Sequence, residues 1–106
     1  MTREEQHTIM NRAVWAYGPE MQEMKCVEEL GELTQALMKA IVAAKSQTME
    51  DFLDAVDHVF EEIADVEIML GQLRLIWGDA PERIDEWKAR KLERLSHRLD
   101  DRRHGL

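Results

Sequence analysis

The feature that most constrains this chain is a long run of apolar residues at helical spacing: Phe52, Val56, Val59, Ile63, Val66, Leu70, Leu73 and Trp77. Steps of three and four residues keep a stripe on one side of an α-helix, whereas a strand would show alternation. A second run, Met24, Val27, Leu30, Leu33, Leu37 and Ile41, precedes it, and only the stretch Ser46 to Thr48 breaks the pattern between them. Two long amphipathic helices joined by so short a turn are expected to lie antiparallel. No segment has strand-like alternation, none is of low complexity, and no repeat of fixed period occurs. The expected fold class is all-α, an antiparallel bundle of about four helices.

Local signals place the helix ends. Thr2 followed three residues later by Glu5 resembles a capping box, so a first helix is expected up to Tyr17, where Gly18-Pro19 ends it. Pro19 suits the first turn of the next helix, which is expected to run to about Lys45, and Thr48 with Asp51 marks another start. Gly78 fits a C-terminal cap and Asp79 an N-cap with Glu82 three residues on. Ile84, Trp87, Leu92, Leu95 and Leu99 then trace a fourth helix, and residues 100–106 read as a frayed tail.

At 106 residues the chain has room for one domain, 1–106, with a modest core, so association into a homo-oligomer, a dimer or tetramer, is an easy route to further burial. Fourteen Lys+Arg against 22 Asp+Glu give a net charge of −8, which argues against nucleic acid or an anionic membrane as partner and for a cation. The single cysteine, Cys26, cannot form an internal disulfide and reads as a structural thiol in a reducing, cytoplasmic setting. No apolar stretch approaches the ~18 residues of a spanning helix, and the charged start of the chain does not read as a targeting segment.

Two acidic clusters interrupt the apolar patterning: Glu28-Glu29-Leu30-Gly31-Glu32 and Glu61-Glu62-Ile63-Ala64-Asp65. Glu29 with Glu32, and Glu62 with Asp65, stand at i, i+3, so each pair projects from one side of its helix. Four carboxylates on neighbouring helices suit a hard cation such as Mg²⁺, with Mn²⁺ as a substitute, far better than Zn²⁺. On a helical wheel Glu29 and Glu32 lie roughly opposite Val27, Leu30, Leu37 and Ile41, but their line continues along Ala36, Ala40 and Ala43, small residues that let another helix approach. The line of Glu62 and Asp65 runs on through Met69 and Ile76, which places these carboxylates at a covered edge.

The segments KCVEELGELTQAL and FEEIADVEIMLGQL, with QLRLIWG and the closing KLERLSHRL, resemble the MazG-like all-α nucleoside triphosphate pyrophosphohydrolases. That family carries Glu-x-x-Glu on one helix and Glu-x-x-Asp on the next, matched here by Glu29 and Glu32 and by Glu62 and Asp65. The likeness extends from about Tyr17 to Leu99, and the 29 residues between Glu32 and Glu62 stand at the long end of the family's spacing. The resemblance implies Mg²⁺-dependent hydrolysis of a (d)NTP between its α and β phosphates, giving monophosphate and pyrophosphate. It also implies an oligomeric bundle. Glu28 and Glu61 become candidates for the base that steers water, and Lys25, Lys91 and Arg94 for phosphate clamps. Trp15 is the choice for stacking the nucleobase. His58, one turn before Glu62, reads as an ordinary surface or packing residue, because imidazole is a poor partner for Mg²⁺.

Two other readings compete. A di-iron carboxylate bundle needs Glu-x-x-His, which does not occur. A non-enzymatic helical interaction module would use the acidic faces and the long apolar stripe to bind a partner, and should respond little to Mg²⁺.

Overall fold

The computed structural model describes residues 1–78 and 80–103, which form four helices with no strand among them: α1 (Arg3–Tyr17), α2 (Pro19–Ser46), α3 (Met49–Ile76) and α4 (Ala80–Arg103). The all-α class follows the sequence expectation. The chain divides into two compact units, Met1–Ile76 and Trp77–Leu106. Among the described residues no helix is long and apolar enough to cross a membrane.

The helix ends form where the sequence placed them. The Thr2 hydroxyl accepts a hydrogen bond from the Glu5 backbone N–H and donates one to Glu5 Oε1, both at 3.1 Å, satisfying a donor that the first turn would leave orphaned. Gly18 adopts φ +92°, a conformation that a Cβ would strain, while its N–H caps α1 by bonding Val14 O and Pro19 opens α2. Thr48 Oγ1 accepts from the Asp51 N–H at 3.2 Å to start α3. Gly78, the expected cap, has φ +58°, and Asp79, the expected N-cap of α4, lies outside the described residues. The tail expected to fray from residue 100 is instead helical through Arg103, and 104–106 lie outside the described residues.

In the first unit α2 and α3 pack as an antiparallel pair: Gln22 meets Gln72, Glu29 and Glu32 meet Glu62, and Ala43 and Ala55 line one crevice. Partner numbers fall on α3 as they rise on α2. The seam on α2 is built from Gln22, Cys26, Glu29, Ala36 and Ala43, all buried, and on α3 from Val59, Glu62, Val66, Met69 and Gln72. These residues recur at steps of three, four and seven, the spacing that lets side chains of one helix fill gaps on the other. The small residues Ala36 and Ala43, 1% and 2% exposed, bring the two backbones together as their line predicted. At one end Gln22 Nε2 donates to Gln72 Oε1 at 2.7 Å, so two buried amides satisfy each other and fix the register. α1 lies against α3 so closely that a Cβ at Gly71 would come within 2.6 Å of Met10 Sδ.

The wheel of α2 resolves in an unexpected sense. Its larger apolar side, Val27, Leu30, Leu37 and Ile41, faces outward with 44–71% exposure, and the line of small and acidic residues forms the packed seam.

Candidate metal centre

The seam carries carboxylates into its interior. Glu29 and Glu62 replace apolar side chains at facing positions and are 7% and 5% exposed, while Asp65 is half-buried and Glu32 is exposed at the rim. One carboxylate oxygen each from Glu29, Glu32 and Glu62 lies within 4.8 Å of the other two, and Glu61, Glu62 and Asp65 form a second group to the same measure. Glu62 belongs to both, so three of the four expected ligands, Glu29, Glu32 and Glu62, come together, while Asp65 is grouped with Glu61 and Glu62 only. Helix geometry explains why: i, i+3 places the second carboxylate of each pair one turn along, and antiparallel packing sets the two pairs opposite each other.

Two observations distinguish this cluster from a solvated acidic face. Glu29 Oε2 and Glu62 Oε2 are both buried and neither has a hydrogen-bond partner. Burying a carboxylate oxygen unpaired is costly, and facing it with another carboxylate raises the cost. The second is the electrostatic setting of Glu32: the negative charge of Glu29 and a hydrogen bond with its carboxyl, helped by slight desolvation and the charges of Glu62 and Glu28, push the Glu32 pKa up from the usual carboxylate value. Both effects are relieved by one cation placed among these oxygens. An oxygen-only donor set of this kind is one that could hold a hard divalent cation.

Each buried carboxylate has a basic side chain one turn before it on its own helix. Lys25 Nζ lies 3.2 Å from Glu29 Oε1 and 3.7 Å from Glu28 Oε2, and its hydrogen bond with Glu29, with the charges of Glu28, Glu29 and Glu32, raises its pKa. It partly compensates Glu29 and leaves Glu62 to other groups. His58 stands on the other helix in the corresponding place, Nε2 3.7 Å from Glu62 Oε1 and Nδ1 3.8 Å from Glu61 Oε2. It is half-exposed, in keeping with the surface role expected from sequence, one turn before Glu62. Glu28 and Glu61 are exposed, beside the buried carboxylates but outside the seam.

The remaining candidates are placed differently. Trp15 is on α1 and 78% exposed, an aromatic that contributes nothing to the core. Lys91 and Arg94 are exposed residues of α4, in the second compact unit. On that helix Arg90 stacks over Trp87, 5.3 Å from the ring centroid. The buried Gln22–Gln72 pair was not singled out from sequence, since glutamine on a helix carries no mark that separates a seam position from a surface one. Comparison of the chain with family models, curated proteins and solved structures gives no match.

Proposed function

We propose that this chain is a divalent-cation-dependent nucleoside triphosphate pyrophosphohydrolase, cleaving a (d)NTP between the α and β phosphates to (d)NMP and pyrophosphate. The observation that carries the reading is the pair of buried, partnerless oxygens, Glu29 Oε2 and Glu62 Oε2, on two carboxylates that approach within 4.8 Å across the α2–α3 seam. Glu29, Glu32, Glu62 and Asp65 would hold Mg²⁺. Bound there, the ion would offset phosphate charge and make a nearby water a better nucleophile at neutral pH.

The rest of the chemistry belongs to the protein's own residues. Residues 1–76 hold 15 Asp+Glu against 6 Lys+Arg, so the unit by itself repels a triphosphate and needs cationic help at the site. Lys25, beside Glu29, supplies one positive charge at the rim and can hold a phosphate oxygen. Glu28 and Glu61, exposed beside the buried carboxylates, are the candidates to accept a proton from an attacking water. Trp15 offers an uncovered ring for a base. The sequence resemblance to MazG-like enzymes supports the choice of a phosphoanhydride over other substrates that a magnesium site could serve.

Incubation with a panel of (d)NTPs and Mg²⁺, with products separated by ion-exchange chromatography, should yield monophosphate and pyrophosphate in equal amounts. Orthophosphate as the sole inorganic product would assign the cleavage to a different bond, and no turnover of any nucleotide would remove the enzyme reading.

A further inference from the structure

Lys25 and His58 occupy the same slot, four residues before the buried glutamate of their helix, but they differ in chemistry. Lys25 brings a fixed positive charge to Glu29, 3.2 Å from its Oε1. An imidazole can do what an ammonium cannot, which is to offer a nitrogen lone pair to a metal ion. At 100° per residue, His58, Glu61, Glu62 and Asp65 fall within one arc of about 100° on α3, so a single helix brings an imidazole and three carboxylates to one side. The three carboxylates each have an oxygen within 4.8 Å of the others.

We propose that His58 and Glu62 form a second metal site, distinct from the Glu29–Glu32–Glu62 oxygen cluster, and that it takes a transition cation of the Zn²⁺ class. Three observations carry the site. The first is distance. His58 Nε2 and Glu62 Oε1 stand 3.7 Å apart, too far for a hydrogen bond. Two ligands of a tetrahedral Zn²⁺, each ~2.1 Å from the ion, are separated by about 3.4 Å, a difference that a small rotation of the half-exposed ring closes. The second is the other ring nitrogen. Nδ1 faces Glu61 Oε2 at 3.8 Å, and a carboxylate in that place is what fixes the tautomer and orientation of a metal-binding imidazole. The third is Glu62 itself. It is 5% exposed, its Oε2 is buried without a hydrogen-bond partner, and no lysine or arginine pairs with it among the described residues. A carboxylate so placed calls for a cation. The nitrogen donor decides the class: Mg²⁺ keeps to oxygen ligands, whereas imidazole with carboxylate suits Zn²⁺. Water completes the coordination on the solvent side, where His58 and Glu61 are open.

The site uses no nucleotide, so its test is separate from that of the pyrophosphohydrolase reading. Zn²⁺ titrated into the full chain, with millimolar Mg²⁺ present throughout, should bind as one ion per chain in calorimetry. His58→Gln should weaken that binding at least ~tenfold, while His97→Gln, on α4, should leave it unchanged. Stabilisation by Mg²⁺ in thermal melts should persist in His58→Gln, because the oxygen cluster does not use the ring. A reading that needs no variant is the proton NMR of the wild-type rings: Zn²⁺ should displace the His58 signals more than those of His7 and His97. Zn²⁺ binding undiminished in His58→Gln overturns the proposal, as do His58 signals that stay in place. Loss of the Mg²⁺ response in His58→Gln would overturn it too, by making the two sites one.

Discussion

Replacing Glu62 by glutamine tests the charge balance of the seam most directly. Without metal, Glu62 faces Glu29 and Glu32 with carboxylate oxygens within 4.8 Å, and its Oε2 is buried without a partner. Two unit charges at that distance repel by about 1 kcal/mol at the dielectric of water and by about 3.5 kcal/mol at an effective value of 20. Lys25, 3.2 Å from Glu29 Oε1, offsets part of the charge on Glu29, and no lysine or arginine lies in an ion pair with Glu62 among the described residues, so Glu62 is the less compensated of the buried pair. The amide of Glu62→Gln removes the repulsion and can donate to the orphaned Glu29 oxygen. Metal-free protein carrying Glu62→Gln should therefore be more stable than wild type by about 1–3 kcal/mol, which in a unit of this size raises the melting temperature by at least ~4 °C. Millimolar Mg²⁺ should act in the opposite sense, stabilising wild type through linkage and leaving the variant nearly unmoved. Thermal melts followed by helical circular dichroism at pH 8, in chelator and in Mg²⁺, give all four values. A variant less stable than wild type in chelator would show that Glu62 already has a favourable partner. An unchanged Mg²⁺ response would remove the ion from this site.

Two further perturbations separate the roles of neighbouring residues. Because Glu32 is held above the ordinary carboxylate range in the folded state, the metal-free fold binds its proton more tightly than the unfolded chain; stability should fall as pH rises from the ordinary carboxylate value through the raised one, and Glu32→Gln should flatten that slope in metal-free denaturation at a series of pH values. Ala36→Leu, at a position 1% exposed where α2 and α3 meet, should cost at least ~1–3 kcal/mol by overpacking in urea denaturation, a loss that a surface position would not show.

The sequence by itself determined the helices. Thr2, Gly18-Pro19 and Thr48 set helix boundaries through bonds and backbone conformations local to a few residues, so their effect is legible without tertiary context. It also determined that Glu29 and Glu32, and Glu62 and Asp65, form pairs one turn apart, and that the alanine line from Ala36 to Ala43 admits a neighbouring helix. What the tertiary structure alone decided is which side of each helix is covered. Hydrophobicity pointed to Val27, Leu30, Leu37 and Ile41 as the inner side of α2, yet these are exposed and the alanine line is packed, because close approach of two helices selects small side chains over large ones. That choice of rotation carries Glu29 and Glu62 into the seam and leaves one oxygen of each without a partner, a consequence invisible on either helix alone. It also sets His58 beside Glu62 and joins Gln22 to Gln72, contacts that depend on helix rotation and register. Local chemistry wrote the helices; packing turned two acidic pairs into one buried cluster.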